Sequence, residues 1–223
     1  SIRHKRITNL PGKMKTLEAC PICKESNFKQ KMLCKDHAVS KKYFTVVSCE
    51  TCKFLFTSPR PKNLAEYYKS DSYISHTNNS KGTFNRIYQT VRKHTIQNKV
   101  ALLKSLKKTG LHLDVGCGTG EFLNACRQHG YKTKGIEPSK TARKKAIKNY
   151  KLSINESTDL SKYKDGEFDS ISLWHVLEHM PHLNKTLLHL NRILKPEGKL
   201  IVAVPNHKSW DANYYKEYWA AWD

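Results

Sequence analysis

Acidic side chains are scarce in this chain. Asp and Glu number 19 against 40 Lys and Arg, giving a formal net charge of +21. Such a surface draws phosphate-bearing partners, whether nucleic acid, nucleotide-linked substrates or anionic headgroups. The alternative is a plain solvated surface, because the lysines are scattered along the chain and not gathered in one arm. Long apolar runs are also missing. Mean hydropathy is −0.67, and no run is long enough to span a bilayer, so no membrane partner is expected. The start, Ser1-Ile2-Arg3-His4-Lys5-Arg6, is basic but lacks the apolar stretch of a secretory signal. It also lacks an initiator Met, which predicts an excised or processed chain. An even cysteine count is absent too. Seven cysteines, four of them in two CxxC pairs, argue for a reducing, cytoplasmic setting and metal binding over a disulfide framework.

The two pairs are Cys20-Pro21-Ile22-Cys23 and Cys49-Glu50-Thr51-Cys52. Each CxxC places two thiolates on one tight turn, and two such turns complete a tetrahedral four-sulfur shell that suits structural Zn2+. Buried or redox cysteines are the competing reading. Strand-like runs at Tyr43–Val47 and Phe54–Phe56 flank the second pair, as in a zinc ribbon. Cys34 and His37 lie between the pairs and are candidates to replace one ligand. Cys117 and Cys126 read as packing residues. Residues 1–17 read as a polar leader, 18–60 as the ribbon-like module, and 61–83 as a Tyr-rich linker or lid. Thr57–Pro61 breaks the pattern and reads as a linker, and Leu64–Tyr68 as a short helix.

Residues 84–223 read differently. Phe84–Lys108 has the periodicity of an amphipathic helix. Leu111–Val115 is then a short apolar strand that runs into Gly116, Gly118 and Gly120. A helical pattern follows, whose N-terminus offers free N–H groups to an anion. A glycine-rich strand–turn–helix is weak evidence when it stands alone. Three further features strengthen it. Tyr131–Glu137 is a second strand pattern ending in a carboxylate, placed where an acid can bind both ribose hydroxyls. Phe168–Trp174 is another apolar strand, followed by His175-Val176-Leu177-Glu178-His179. Leu190–Pro205 reads as a helix end, a Pro-Gly turn and a strand.

The quartet LDVGCGTGEF, GIEPS, FDSISLWHVLEHM and LNRILKPEGKLIVAVPN resembles the class I S-adenosylmethionine-dependent methyltransferases over roughly residues 84 to 210. The resemblance implies an α/β, Rossmann-like, doubly wound sheet beside the small N-terminal zinc-ribbon-like domain. It also implies S-adenosylmethionine as cofactor. Gly116, Gly118 and Gly120 would pass under its methionyl part and Asp114 would take its amino group. Glu137 would take the ribose hydroxyls, and Ile136 and Leu160 would sandwich the adenine. Glu156 and Asp159 share the expectation of an adenine contact, since the commoner Gly-Asp start of that loop is missing. Trp174 and His175 would end the fourth strand beside the transferred methyl. His175, Glu178 and His179 are the candidates for a general base, set against a role in shaping the helix start. A ribbon followed by a Tyr-rich segment also resembles a subgroup that methylates sugars and other small metabolites, and there Tyr73 would help close the site.

The aromatic tail from Trp210 supplies none of the two further edge strands of a complete class I sheet, so the C-terminal edge is expected to be missing. Three functions follow. The first is methylation of a small-molecule acceptor, such as a nucleotide-linked sugar. The second is methylation of RNA held by the zinc module and basic surface, although the Asn/Asp-Pro-Pro-Tyr/Phe signature of base amino methylation is absent. The third is an inert cofactor- and zinc-binding module.

Overall fold

The computed structural model describes residues 14–37, 40–62 and 83–222. Tyr73 and the helix expected at Leu64–Tyr68 lie outside the described residues. The chain divides into two compact units, one of Ser1–Tyr73 with Asn206–Asp223 and the other of Ile74–Pro205.

In the first unit, β1 (Met14–Lys15) pairs antiparallel with β5 (Arg60–Pro61). Strands β2 (Phe28–Lys35), β3 (Tyr43–Cys49) and β4 (Leu55–Thr57) form an antiparallel sheet in that order. The segment that reads as a linker thus carries the end of β4 and all of β5. Met14 lies opposite Pro61, and the Leu17 amide donates to Ser58 Oγ at 3.1 Å, closing the module on itself. Its core is small, built on Cys20, Val47, Cys49 and Phe56. The aromatic tail carries helix α5 (Trp210–Tyr215), capped by Ser209, and belongs to this unit.

The second unit begins with α1 (Thr83–Leu106). Strands β6 (Leu111–Val115), β7 (Lys132–Ile136), β8 (Ile154–Asn155), β9 (Phe168–Trp174) and β10 (Leu194–Ala203) make a parallel sheet in the order β10-β9-β6-β7-β8. Helices α2 (Glu121–Gln128), α3 (Lys140–Tyr150) and α4 (Leu183–Ile193) connect or flank them. The chain runs outward from β6 through β7 to β8, then returns to the other side of β6 with β9. That reversal opens a crevice at the carboxyl ends of β6 and β9, where ligands of open α/β sheets bind.

Alternation along β6 and β9 sends their side chains to opposite faces. Leu113, Val115, Ile171 and Leu173 join Phe168, Leu190 and Ile193 in one apolar core. The opposite face meets Val100 and Leu103 of α1 and Phe122, Ala125 and Cys126 of α2. Burying side chains of this size contributes about 1.5–3 kcal/mol each. The turn expected between α4 and the last strand is a register shift between Leu194 and Lys199 within β10. Among the described residues, no helix is long and apolar enough to cross a membrane.

Candidate functional site

Two sites are built, one in each unit. In the first, the sulfurs of Cys20, Cys23, Cys49 and Cys52 all lie within 4.8 Å of one another. The Cys20–Cys52 and Cys23–Cys49 separations are 3.6 and 3.5 Å. A tetrahedral zinc with bonds of about 2.3 Å needs sulfurs about 3.8 Å apart, so the quartet fits that ion. The two turns repeat each other bond for bond. Cys20 N–H donates to Glu25 O and Cys49 N–H to Phe54 O. Lys24 N–H donates back to Cys20 O and Lys53 N–H to Cys49 O. Lys24 and Lys53 both take positive φ, 69° and 62°. Their ammonium groups donate to Pro21 O and Glu50 O. The backbone N–H of Cys52, together with neighbouring thiols, draws the Cys49 thiol down to about 6. At Cys23 the Glu25 N–H pulls the same way, but burial and the other three thiols outweigh it and push that group up to about 12. Cys34 and His37 stand outside the quartet.

In the second unit the carboxyl ends of β6 and β7 are tied together. Glu137 Oε2 accepts from Gly118 N–H and Oε1 from Ser139 N–H, both at 2.8 Å. Burial raises the Glu137 carboxyl, and those two amides and Arg143 act against the rise. Gly116 has φ +74°, and a Cβ there would lie 2.4 Å from Val176 Cγ2, so glycine is required by packing as well as conformation. Gly118 has φ +54°, and a Cβ there would meet nothing within 4 Å. Among the described residues, the loop thus presents bare backbone to open space at the residue that Glu137 holds.

Asp114 ends β6 almost fully buried, and Ser172 Oγ donates to its Oδ1 at 2.6 Å. Burial raises its carboxyl to about 7, while Ser172 and the Lys99 ammonium act in the opposite direction and Glu137 adds to the rise. Lys99, from α1, stands 4.4 Å from the centre of the Trp174 ring. The start of α2 is also braced. Arg92 donates to Glu121 at 2.7 Å and to Thr119 at 3.3 Å. Gln89, Arg92, Lys93, Ile96, Glu121 and Tyr150 line a cavity of about 230 Å³ there.

Other expected residues are held elsewhere. Ile136 and Leu160 are both buried in the apolar core beneath the crevice. Trp174 packs edge-on to Phe122, with ring centres 5.6 Å apart, and its Nε1 is buried with no hydrogen-bond partner among the described residues. Glu156 is paired with Arg143 at 2.8 Å. Asp159 caps the short turn at Leu160–Lys162 through Ser161. His175 takes φ +56° and donates its amide to Ala203 O, and its ring lies 3.7 Å from Glu178. Burial lowers the neighbouring His179.

Arg143, Lys99 and Arg92 are site residues that sequence reasoning missed. Arg143 also donates to Glu137 O at 2.7 Å, so it braces the acid and the following loop together. A basic residue six positions after the acid was its one visible signal. Lys99 and Arg92 carry none, because both sit on what reads as the solvated side of a basic helix.

Comparisons with known proteins bear on the family and the fold. An uncharacterized methyltransferase of Alkaliphilus oremlandii (strain OhILAs) is 35% identical over 102 residues, covering 44% of this chain and 46% of that protein. A ubiquinone biosynthesis O-methyltransferase of Coxiella burnetii is 32% identical over 100 residues, covering 42% and 43%. The chain thus spans about half the length of the curated relatives it matches. The fold resembles that of a Pyrococcus horikoshii OT3 protein, with a TM-score of 0.51 at 21% identity over 69% of this chain and 67% of that one. It also resembles magnesium protoporphyrin IX methyltransferase of Synechocystis PCC 6803, solved with bound SAM, with a TM-score of 0.50 at 20% identity over 68% and 80%. A family model for a methyltransferase domain matches residues 75–223. With that match and a Rossmann-like parallel sheet, the chain belongs to the class I S-adenosylmethionine-dependent methyltransferases.

Proposed function

We infer that the protein binds S-adenosylmethionine at the carboxyl ends of β6 and β7 and transfers its methyl group to a small-molecule acceptor, such as a nucleotide-linked sugar. The observation that carries this reading is the junction of Glu137 with Gly118, bonded at 2.8 Å beside a position where a Cβ would meet only open space. A carboxylate fixed there accepts from two ribose hydroxyls, and the bare loop admits the methionyl part. Asp114 lies close enough to feel the charge of Glu137 and is the candidate for the cofactor ammonium.

When bound, the cofactor supplies the electrophilic methyl, so the chain's own residues bind, orient and manage protons. His175, Glu178 and His179 are the candidates to accept a proton from the acceptor. His175 is the more exposed of the His175–Glu178 pair and stands at the end of β9. Glu178 is near enough to orient its ring. The four-cysteine cluster, within the domain proposed at 18–60, holds structural zinc in this reading, with all four positions of the ion filled by thiolates.

Calorimetry with S-adenosylhomocysteine on wild type and Glu137→Ala tests the cofactor site. The variant is expected to lose affinity by roughly tenfold or more, the worth of hydrogen bonds to a charged group. Equal binding by the two proteins would remove the assignment. The charge of +21 keeps RNA as the second acceptor class. Tight retention of total RNA on filters at near-physiological salt would favour it, and negligible retention would favour the small molecule.

A further inference from the structure

One face of the two central strands is polar where sheet cores are ordinarily apolar. His112 and Asp114 project from β6, and Ser170 and Ser172 from β9, and all four are buried. Register brings them together, since His112 lies opposite Ser170 and Asp114 opposite Ser172. His112 Nδ1 is 2.8 Å from Ser170 Oγ, and its Nε2 is 3.0 Å from Ser172 Oγ. Ser172 Oγ donates to Asp114 Oδ1 at 2.6 Å.

The direction of this chain follows from counting protons. Once ionised, Asp114 only accepts, so in that state the single Ser172 hydroxyl proton goes to it. Ser172 Oγ must then accept from His112 Nε2–H. Burial holds His112 neutral, lowering its pKa to about 4. A neutral imidazole has one N–H, so Nδ1 accepts from the Ser170 hydroxyl. The relay therefore runs Ser170 to His112 to Ser172 to Asp114, every donor aimed the same way. The ring is clamped sideways by Phe122 and Tyr131, edge-on at centre distances of 5.8 and 6.3 Å.

Apolar residues would pack this face without the desolvation cost of buried polar groups. What the polar column adds is an end point. Ser172 is the one hydrogen-bond donor to Asp114 among the described residues, and it occupies Oδ1. Among those residues no donor reaches Oδ2, which is the acceptor atom still available to a ligand. Around Asp114 stand Lys99 of α1, Glu137 at the end of β7, and the thiols of Cys117 and Cys126.

We propose that His112 and Ser172 are positioning residues for the cofactor, a one-way relay of donors that occupies Asp114 Oδ1 and leaves Oδ2 for the methionyl ammonium of S-adenosylmethionine. The proposal rests on the cofactor reading above. Nitrogen NMR of the wild type at pH 8, where Asp114 is ionised, is expected to show His112 neutral and as the Nε2–H tautomer. The Nδ1–H tautomer would overturn the relay, and this measurement stands whether or not any variant folds. In calorimetry with S-adenosylhomocysteine at pH 7, Ser172→Ala is expected to bind about tenfold more weakly, the effect of losing one hydrogen bond to a charged group. The midpoint of its pH dependence should also move upward. Ser172→Thr, which keeps the hydroxyl, should restore both. Binding by wild type with affinity and midpoint unchanged in Ser172→Ala overturns this inference alone. No binding by wild type overturns the cofactor reading and this inference together.

Discussion

The cysteine quartet and the glycine crevice gather their groups by opposite means. At the quartet four side-chain atoms converge, and the backbone serves only to aim them. At the crevice the proposed binding surface is backbone, and side chains such as Glu137 and Arg143 brace it. The cores beneath differ accordingly. Two of the four buried members of the ribbon core, Cys20 and Cys49, are themselves candidate ligands. The sheet rests instead on Leu113, Val115, Phe168, Ile171 and Leu173, none of which touches chemistry. A site whose ligands are also its core depends on the ion for its fold. A site laid over an independent core depends on the ligand only for occupancy.

Metal removal tests that contrast most severely. Elemental analysis is expected to find about one zinc per chain, as one filled four-thiolate site requires. Chelation should abolish the ribbon's fold, since structural zinc contributes on the order of 10 kcal/mol in such modules. NMR signals of 14–62 should collapse while those of β6 to β10 persist. Loss of the sheet signals as well would erase the distinction.

Two glycines sharpen it within the crevice. At Gly120, φ is +83° and a Cβ would lie 2.7 Å from Leu152 Cδ1 and 2.9 Å from Ala146 Cβ. Gly120→Ala is expected to cost about 2–4 kcal/mol, from left-handed strain plus overpacking. Gly118→Ala meets no neighbour and should cost only the strain, about 1–2 kcal/mol, while reducing S-adenosylhomocysteine affinity. Thermal unfolding and calorimetry on both variants separate the two effects. Equal losses of stability would mean that the space at Gly118 is not open.

The crevice should also respond to pH. Asp114 is raised to about 7 without ligand. A cationic ligand group favours its ionised form, so binding expels a proton below that value. Affinity for S-adenosylhomocysteine is expected to rise about tenfold from pH 6 to pH 8 and then level, with proton uptake or release measured in buffers of different ionisation enthalpy. A flat profile would detach Asp114 from the ligand. The smallest effect belongs to the two CxxC turns. Lys53 sits at φ +62°, so Lys53→Gly should raise the stability of the metal-loaded ribbon by about 0.5–1 kcal/mol. A loss would show that its ammonium contact with Glu50 O outweighs the strain.

Much of this was legible in the chain before folding. The cysteine spacing pointed to one cluster, and the glycines with Glu137 pointed to one crevice, because each depends on short-range geometry. What escaped depends on pairing across distance. Thr57–Pro61 reads as a linker until Met14–Lys15 is seen beside Arg60–Pro61. Glu156 and Asp159 are equal candidates for an adenine contact, and each also holds a partner within the fold, Arg143 or Ser161, that the sequence does not announce. Strand parity decides Ile136 and Trp174, and an apolar run does not announce which face a given residue takes. The relay through His112 needed the register of β6 against β9, which no motif encodes.

The twin lysines of the CxxC turns have an electrical consequence. A divalent ion held by four thiolates leaves two net negative charges in a small volume. Lys24 and Lys53, one at the close of each turn, bring two ammonium groups back over those same turns through Pro21 O and Glu50 O. The two ammonium groups offset the charge such a loaded centre would carry, while Glu25 and Glu50 on the same turns leave them net negative. The basic excess of the module therefore lies away from its own metal turns.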